Sequence, residues 1–103
     1  MSIIVTAIFT PVDGAFDKVV DALTPAIAEV HEEAGCFLYA IHKAPNGQIV
    51  MIEKWESVEL LDAHGDGDAV SRLNASLEGL LKCPVDVTRL AAIQAGTESQ
   101  GAL

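Results

Sequence analysis

Apolar stretches of strand length recur four times along the chain and predict the strands of a β-sheet. They cover residues 3–10, 36–43 and 48–56, and a last segment that follows Pro84 and runs through Ile93. The first stretch is rich in β-branched residues and too short for a helix, which is typical of a buried strand. The second and third are joined by Ala-Pro-Asn-Gly, and an Asn-Gly pair favours the positive φ angles of a tight hairpin turn. These two segments are therefore predicted to pair as a hairpin.

Between the first two strands, apolar residues recur at spacings of three and four, which predicts a helix. The pattern runs from residue 16 to residue 30. Asp13 is placed to cap the start of this helix, and Gly35 is placed to stop the chain in the left-handed conformation after its end. Pro25 lies inside the pattern and lacks a backbone donor, so we expect a kink or local 3₁₀ geometry there.

Two more helical segments are predicted after the hairpin. Ser57 can cap a short helix that carries Leu60, Leu61 and His64 on one side. The Gly-Asp-Gly-Asp sequence of residues 65–68 breaks that helix. A further helix is predicted over about residues 69–81, where leucines recur at helical spacing.

The order of these elements is strand, helix, strand, strand, helix, strand. It predicts an α+β protein of the ferredoxin-like split βαβ type, an antiparallel sheet with helices on one face. Residues 1–93 are predicted to form this one domain. Residues 94–103 are small and polar, and we expect them to be a tail that is at most partly ordered.

Both faces of the predicted sheet are apolar. The first strand carries Ile4 and Ile8 on one face and Val5, Ala7 and Phe9 on the other. Two helices can cover only one face, and the other would expose a large hydrophobic patch to water. The sequence therefore predicts a homodimer that packs sheet to sheet.

Composition narrows the classes of function. The chain has 103 residues, of which half are hydrophobic, and this suits one globular domain. A formal net charge of −9 argues against a nucleic-acid partner, and no apolar run approaches the roughly 20 residues of a membrane helix. No basic segment followed by a long apolar one resembles a secretory signal, so we expect a cytoplasmic protein.

Cysteine and motif patterns give no sign of a metal site or a cofactor. Cys36 and Cys83 are far apart and outside any metal-like spacing, and we interpret both as small buried hydrophobic residues. The three histidines lie on different predicted elements without an HxH or HExxH pattern. P-loop and GxGxxG motifs are missing as well, so neither a metal nor a tightly bound organic cofactor is expected.

Three short motifs resemble the antibiotic biosynthesis monooxygenase (ABM) domain family. They are EAGCFLY at residues 33–39, IEKWES at residues 52–57 and LLDAH at residues 60–64, the last ending in a histidine nine residues after the tryptophan. The resemblance covers about residues 3–93. It implies a dimeric α+β barrel with a pocket between sheet and helices in each protomer, but no single reaction, because fold alone does not determine chemistry.

The resemblance is uneven among the branches of that family. A haem-degrading branch uses an asparagine where this chain has Ala7 and a tryptophan where it has His64, together with a second-helix histidine that is missing here, which argues against haem. A branch that oxidises aromatic polyketides shares His42 and Trp55. It differs at three other positions. This chain has Met51 where that branch has an asparagine and Leu61 where it has a tyrosine, and Arg72 lies only near the position of its arginine. These departures put a polyketide substrate in question.

Candidate pocket residues follow from alternation along the strands. Met51, Glu53 and Trp55 share one face of the third predicted strand, and we interpret His42 as lying on the same helix-covered face. His64 would reach this pocket from the short helix. Tyr39 has the opposite parity to His42 and is therefore assigned to the dimer interface.

The histidines are the candidate bases, because an imidazole with a reference pKa near 6.5 can remove a proton at neutral pH. We expect His64 to be the base, with His42 as the second choice. Glu53 could instead have a purely structural role, in an ion pair with Lys54 or Arg89. Arg72 could be a solvated residue on the surface of its helix. The residues predicted to bind substrate are Trp55, Glu53, Met51, Leu61 and Arg72.

These residues and the resemblance favour a monooxygenase that needs neither metal nor flavin. Its substrate would be a quinol, a phenol or another enolisable aromatic molecule, which reacts with molecular oxygen once it has lost a proton. Two alternatives stay open. The protein could isomerise a small carbonyl metabolite with the same histidines, or it could be a non-enzymatic dimer that binds a hydrophobic small molecule.

Overall fold

Four strands form one antiparallel sheet in the computed structural model, which describes residues 2–103. The strands occur in the spatial order β2-β3-β1-β4. Their bounds are β1 (Ile3–Phe9), β2 (Cys36–Lys43), β3 (Ile49–Trp55) and β4 (Asp86–Ala91). All four predicted strands are therefore confirmed, with β1, β3 and β4 shorter than expected.

Three helices lie between these strands: α1 (Phe16–His31), α2 (Val58–Gly65) and α3 (Asp68–Ser76). Buried residues from all three join one hydrophobic core with buried residues of the sheet. The α+β ferredoxin-like fold is confirmed. The predicted extent of the last helix is wrong, since α3 ends at Ser76 and the chain then turns through Gly79, whose φ of 78° is left-handed.

Helix ends agree with the sequence in part. The expected Asp13 cap is wrong, because the residue before α1 is Ala15 and no side chain caps that end. Asp13 pairs with Lys82 instead, at 3.1 Å between Oδ1 and Nζ. The chain stays α-helical through Pro25, so the expected 3₁₀ geometry is also wrong. Gly35 has the predicted left-handed conformation, with φ at 82°, but lies four residues beyond the end of α1.

The start of α2 follows the prediction directly. Ser57 has extended backbone geometry, and its Oγ accepts a hydrogen bond from the backbone N–H of Leu60 at 3.2 Å. The predicted break between the two helices is confirmed but is shorter than expected: Gly65 still belongs to α2 and Asp68 already belongs to α3, so only residues 66 and 67 lie between them.

The sheet has the two apolar faces that alternation predicts. Val5, Ala7 and Phe9 belong to the core beneath the helices. Ile4 and Ile8 point to the opposite face, where Ile4 is buried and Ile8 is half-buried. A second copy that would cover this open face stays a prediction.

The hairpin between β2 and β3 has a longer turn than the Asn-Gly pair suggests. Ala44 N–H donates to the carbonyl of Gln48 at 2.9 Å. Of Asn46 and Gly47, only Gly47 takes a positive φ. The side-chain oxygen of Asn46 accepts instead from the backbone N–H of Gln48. At the other end of β2, the register shifts between Cys36 and Leu38, which makes a β-bulge at Phe37.

The remaining predictions concern the ends of the chain and the cysteines. Residues 94–103 contain a turn and no helix or strand, and the predicted domain boundary at residue 93 stays a prediction, with Met1 outside the described residues. Cys36 is half-buried and Cys83 is exposed, so the prediction of two buried cysteines is wrong for Cys83. Within residues 2–103, no helix combines the length and the apolar character that crossing a membrane requires.

Candidate functional site

A cavity of about 270 Å³ lies between the helix-covered face of the sheet and the helices α2 and α3. We call it the sheet cavity. Its floor comes from all four strands, and its walls come from Leu61 and His64 of α2, from α3 and from the segment that enters β4. The lining is mainly apolar with a few polar side chains, which is the character of a small-molecule site.

One row of residues across the sheet supplies the polar part of the floor. The strand register aligns Tyr39 with Glu53, Glu53 with Val5, and Val5 with Arg89, so the four side chains lie on the same face. All four line the cavity. Sequence reasoning assigned Tyr39 to the dimer interface, and this is wrong, because Tyr39 is buried in the core beneath the helices.

His42 lies on the other face of the sheet. It pairs with Val50, whereas its neighbour Ile41 pairs with Met51 and shares the helix-covered face. The His42 side chain is exposed, and its Nδ1 lies 3.1 Å from the carbonyl oxygen of Val50. The prediction that His42 and Trp55 share a face is therefore wrong, because the β-bulge at Phe37 interrupts the alternation: Cys36 pairs with Trp55, but from Leu38 onwards the even-numbered residues of β2 lie on the other face.

His64 stands where the sequence predicts, on the buried side of α2 three residues after Leu61. It is 8% exposed, although it is a histidine in the last turn of a helix. Its ring centroid lies 4.5 Å from that of Trp55 and 5.4 Å from that of Tyr39, so the imidazole is enclosed by the chain's two largest aromatic side chains. Trp55 itself is fully buried and forms the support behind this ring.

Glu33 contacts the Nδ1 edge of the His64 ring. Glu33 Oε1 lies 2.9 Å from His64 Nδ1, within hydrogen-bonding distance. His64 also lines a second depression on the protein surface, the outer cleft, which contains Glu33 and Leu60 but none of the sheet. Among the described residues, Nδ1 is the only His64 nitrogen that makes a hydrogen bond, and no fully buried side-chain nitrogen or oxygen lacks a partner. Nε2 is therefore neither hydrogen-bonded nor fully buried within the described chain.

Glu53 is the buried carboxyl group of the cavity floor. The indole Nε1 of Trp55 donates a hydrogen bond to Glu53 Oε1 at 2.8 Å. Burial raises the pKa of Glu53, and this effect outweighs the Trp55 hydrogen bond and the nearby His64, both of which lower that pKa. Burial likewise raises the pKa of the Tyr39 hydroxyl, with the Glu53 charge adding to the effect. The cavity therefore favours neutral forms of both groups.

The two arginines are placed differently from the sequence prediction. Arg72, proposed as a substrate ligand, projects from α3 into the outer cleft, where its Nη2 donates to Glu29. It does not line the sheet cavity. Arg89, considered only as an ion-pair partner of Glu53, does line it, and its Nη2 donates to Asp62 Oδ1 at 2.8 Å.

Of the predicted substrate ligands, Met51, Glu53 and Leu61 line the sheet cavity, and Trp55 lies directly behind its wall. Sequence reasoning missed Glu33, Tyr39 and Arg89. Tyr39 and Arg89 are identified by the register of the sheet, and no sequence pattern that we used predicts that register. Within residues 2–103, no group of three or more His, Cys, Asp and Glu side chains is arranged to hold a metal ion.

Comparisons with known proteins agree with this architecture. The family model described as antibiotic biosynthesis monooxygenase matches residues 2–76. The structure of Rv0793 from Mycobacterium tuberculosis has a TM-score of 0.85 and 28% sequence identity, and the match covers 94% of this chain and 100% of that one. No protein of curated function gives a significant sequence match.

More distant structures share the fold. PA3566 from Pseudomonas aeruginosa has a TM-score of 0.81 at 24% identity, with 89% of this chain and 94% of that chain covered. A structure described as an antibiotic biosynthesis monooxygenase has the same TM-score at 22% identity, with 88% and 98% covered. At these identities, the likeness concerns the fold.

Proposed function

The chain belongs to the antibiotic biosynthesis monooxygenase family, and on that premise we propose that it oxidises a small quinol, phenol or other enolisable aromatic molecule with molecular oxygen. One observation carries the proposal. The His64 imidazole is buried between aromatic rings at the wall of a mostly apolar cavity, with Nε2 neither hydrogen-bonded nor fully buried within the described chain. Such a group can take a proton from an acidic C–H or O–H bond of a bound substrate.

The dimensions of the cavity limit the substrate. Its volume of about 270 Å³ lies just below the range of roughly 300–1,000 Å³ for drug-sized ligands. Molecules of one or two rings suit this volume better than a four-ring polyketide. Val5, Ala7 and Met51 give the floor an apolar surface against which an aromatic ring can pack.

Deprotonation is the step for which the protein supplies chemistry. Triplet oxygen reacts slowly with closed-shell molecules, but an enolate or phenolate can transfer an electron to it. His64 Nε2 accepts the substrate proton, and the anion passes one electron to oxygen. The two radicals combine in a new C–O bond, the peroxide anion takes the proton back from His64, and the hydroperoxide loses water to leave a carbonyl group. The substrate provides all four electrons, so one oxygen atom enters the product and the other leaves as water.

The other predicted ligands have roles that follow from their positions. Glu53, one of whose oxygens accepts from Trp55, can present its second oxygen to a substrate hydroxyl. Met51 supplies an apolar contact from the floor, and Leu61 supplies one from the wall. Trp55 holds both Glu53 and the His64 ring in place, and it acts through them because it lies behind the wall.

We also propose that two copies pair through the open faces of their sheets. Ile8, Val50 and Ile52 leave apolar surface there that the three helices do not cover. The cytoplasmic setting expected from the sequence belongs to the same proposal.

Oxygen uptake tests the reaction. Purified protein treated to remove metals and flavin should consume oxygen with members of a panel of hydroquinones, naphthols and anthrone-like phenols. His64→Ala should lower the rate by about 10² to 10⁴, the usual contribution of a general base. His42→Ala is the matched control, because it removes the histidine of the opposite face, and it should retain the parental rate. Equal losses in the two variants, or none in His64→Ala, would reject His64 as the base.

Isomerisation of a small carbonyl compound is the second candidate, because Glu53 and His64 place two proton-transfer groups at one cavity. That reaction would exchange a substrate α-proton with deuterated solvent in the absence of oxygen, which NMR can follow. Exchange without oxygen uptake would favour the isomerase. Neither activity, together with tight binding of aromatic compounds, would favour the binding protein.

A further inference from the structure

We infer that Glu33 is a positioning residue for His64, one that fixes the imidazole in the tautomer whose Nε2 lone pair faces the sheet cavity. The inference deepens the proposed function and rests on it for its catalytic consequence. It concerns a residue that does not line the sheet cavity and that no sequence pattern assigned to the site.

The burial of this pair distinguishes it from the other ion pairs of the described chain. His64 Nδ1 and Glu33 Oε1 are 2.9 Å apart, and their side chains are 7% and 28% exposed. The pairs made by Arg72, Lys82 and Arg89 join side chains that are about half exposed or more, where solvent screens the attraction. A hydrogen bond to a buried imidazole is screened much less.

The turn between α1 and β2 contacts α2 at two residues that are one helical turn apart, and this places Glu33 against His64. Leu60 and His64 are four residues apart on α2 and so lie on the same side of the helix. The turn between α1 and β2 runs along that side, with Gly35 against Leu60 and Glu33 against His64. A Cβ atom at Gly35 would approach Leu60 Cδ1 to 2.5 Å, and the φ of 82° strains any other residue, so a side chain here would force Leu60 or the turn to move. The Gly35 carbonyl also accepts from Glu56 N–H at 2.9 Å, which fixes the turn to the end of β3.

The chemical consequence concerns which ring nitrogen carries the proton in the neutral imidazole. A carboxylate accepts hydrogen bonds, so Glu33 favours a proton on Nδ1 and leaves Nε2 as the acceptor. After proton transfer from a substrate, both nitrogens carry protons, and the same carboxylate stabilises the resulting cation. Glu33 thus orients the base before the step and stabilises its charged form afterwards, without touching the substrate.

Nitrogen NMR of ¹⁵N-histidine-labelled protein tests the tautomer directly, because the two ring nitrogens have different shifts when protonated and unprotonated. At a pH where His64 is neutral, the parent protein should show the Nδ1–H form almost alone. Glu33→Ala should shift the population towards Nε2–H. Glu33→Gln keeps an acceptor oxygen and should retain most of the Nδ1–H form. An unchanged tautomer in Glu33→Ala would overturn the inference.

Kinetics with an accepted substrate test the catalytic consequence. Glu33→Ala should lower kcat by about 10- to 100-fold, part of what the base supplies, and leave KM within about twofold, because Glu33 does not contact the cavity. Glu33→Gln should recover part of the loss. Glu32→Gln, a change at the exposed neighbouring glutamate, is the matched control and should behave as the parent. A kcat for Glu33→Ala equal to that of Glu32→Gln would overturn the role.

The two readouts separate this inference from the proposed function. If no compound supports oxygen uptake, the monooxygenase proposal fails, while the nitrogen spectra still decide whether Glu33 sets the tautomer. If Glu33→Ala folds poorly, as judged by thermal melting, Glu33→Gln decides: a partial loss of kcat with the Nδ1–H form retained supports the role, and full parental kcat rejects it.

Discussion

One half of the helix-covered face of the sheet is packed against α1, and the other half borders the sheet cavity beneath α2 and α3. We call them the closed half and the hollow half. On the first half, α1 buries Val19 and Leu23 completely, and Val30 almost completely. On the second half, α2 and α3 stand over the sheet cavity, and the strand beneath, β4, is exposed along its length. One sheet therefore supports two different kinds of interior.

The covering helices explain the difference. α1 has 16 residues and places an apolar side chain on the sheet at each turn, so it fills the space beneath it. α2 and α3 have eight and nine residues and are separated by residues 66 and 67. Two short helices with a break between them fill less of the space over the sheet than one continuous helix does. The chain thus keeps its stability and its binding space in separate halves, and substitutions of the same kind should have different effects in the two.

Leucine truncation should show the largest difference. Leu23→Ala, in the closed half, should lower the free energy of unfolding by about 3–5 kcal/mol, because it opens a cavity in packed surroundings. Leu73→Ala, in the hollow half, should cost about 1–2 kcal/mol, because Leu73 already borders empty space and loses fewer contacts. Urea unfolding of both variants measures the two costs.

Activity should separate these variants in the opposite direction. Leu23→Ala should retain the parental kcat per folded molecule, whereas Leu73→Ala should change KM, since it reshapes the cavity wall. Equal stability losses would contradict the division into two halves.

Enlarging an alanine should have a smaller effect on stability but a clear one on function. Ala26→Leu adds volume beneath α1 and should cost about 1–3 kcal/mol through overpacking. Ala7→Leu adds the same volume at the cavity floor and should cost less than about 1 kcal/mol. Thermal melting compares the two, and the same proteins should differ in ligand binding: Ala7→Leu should block it, and Ala26→Leu should not.

The smallest effect should be a pH dependence that arises in the hollow half. Because burial raises the pKa of Glu53 above its ordinary value of 4.5, the folded protein holds this proton more tightly than the unfolded chain does. Stability from Glu53 is therefore full below the ordinary pKa and is lost as the pH rises through the raised value. Glu53→Gln, which cannot ionise, should melt at a higher temperature than the parent near about pH 8, and the gap should shrink towards about pH 4. Glu32→Gln should show no such trend.

Sequence patterns predicted the elements well because each depends on local chemistry. β2 has its predicted bounds, and the Ser57 cap and the break between α2 and α3 are in place. The errors fall at the ends of elements. α1 begins at Phe16, which leaves Asp13 two residues before its cap position, and left-handed Gly79 lies within the segment predicted to extend α3.

The candidate site was predicted only in part, because pocket membership depends on register. The faces of Tyr39 and His42 were exchanged, since the β-bulge at Phe37 adds one residue to β2 and moves every side chain from Leu38 onwards to the face opposite to the one that strict alternation from Cys36 predicts. His64 was placed well because its position relative to Leu61 depends on helical spacing alone. Glu33 could not be found, since its contact with His64 spans 31 residues of sequence.

The aromatic enclosure of His64 has an optical consequence. The chain contains one tryptophan and one tyrosine, and their rings lie 6.4 Å apart beside the imidazole. The near-ultraviolet absorption of the protein therefore comes almost wholly from these two rings, and its fluorescence comes from a single indole in one environment. A change in the charge of the neighbouring imidazole should therefore alter that emission, without an added label.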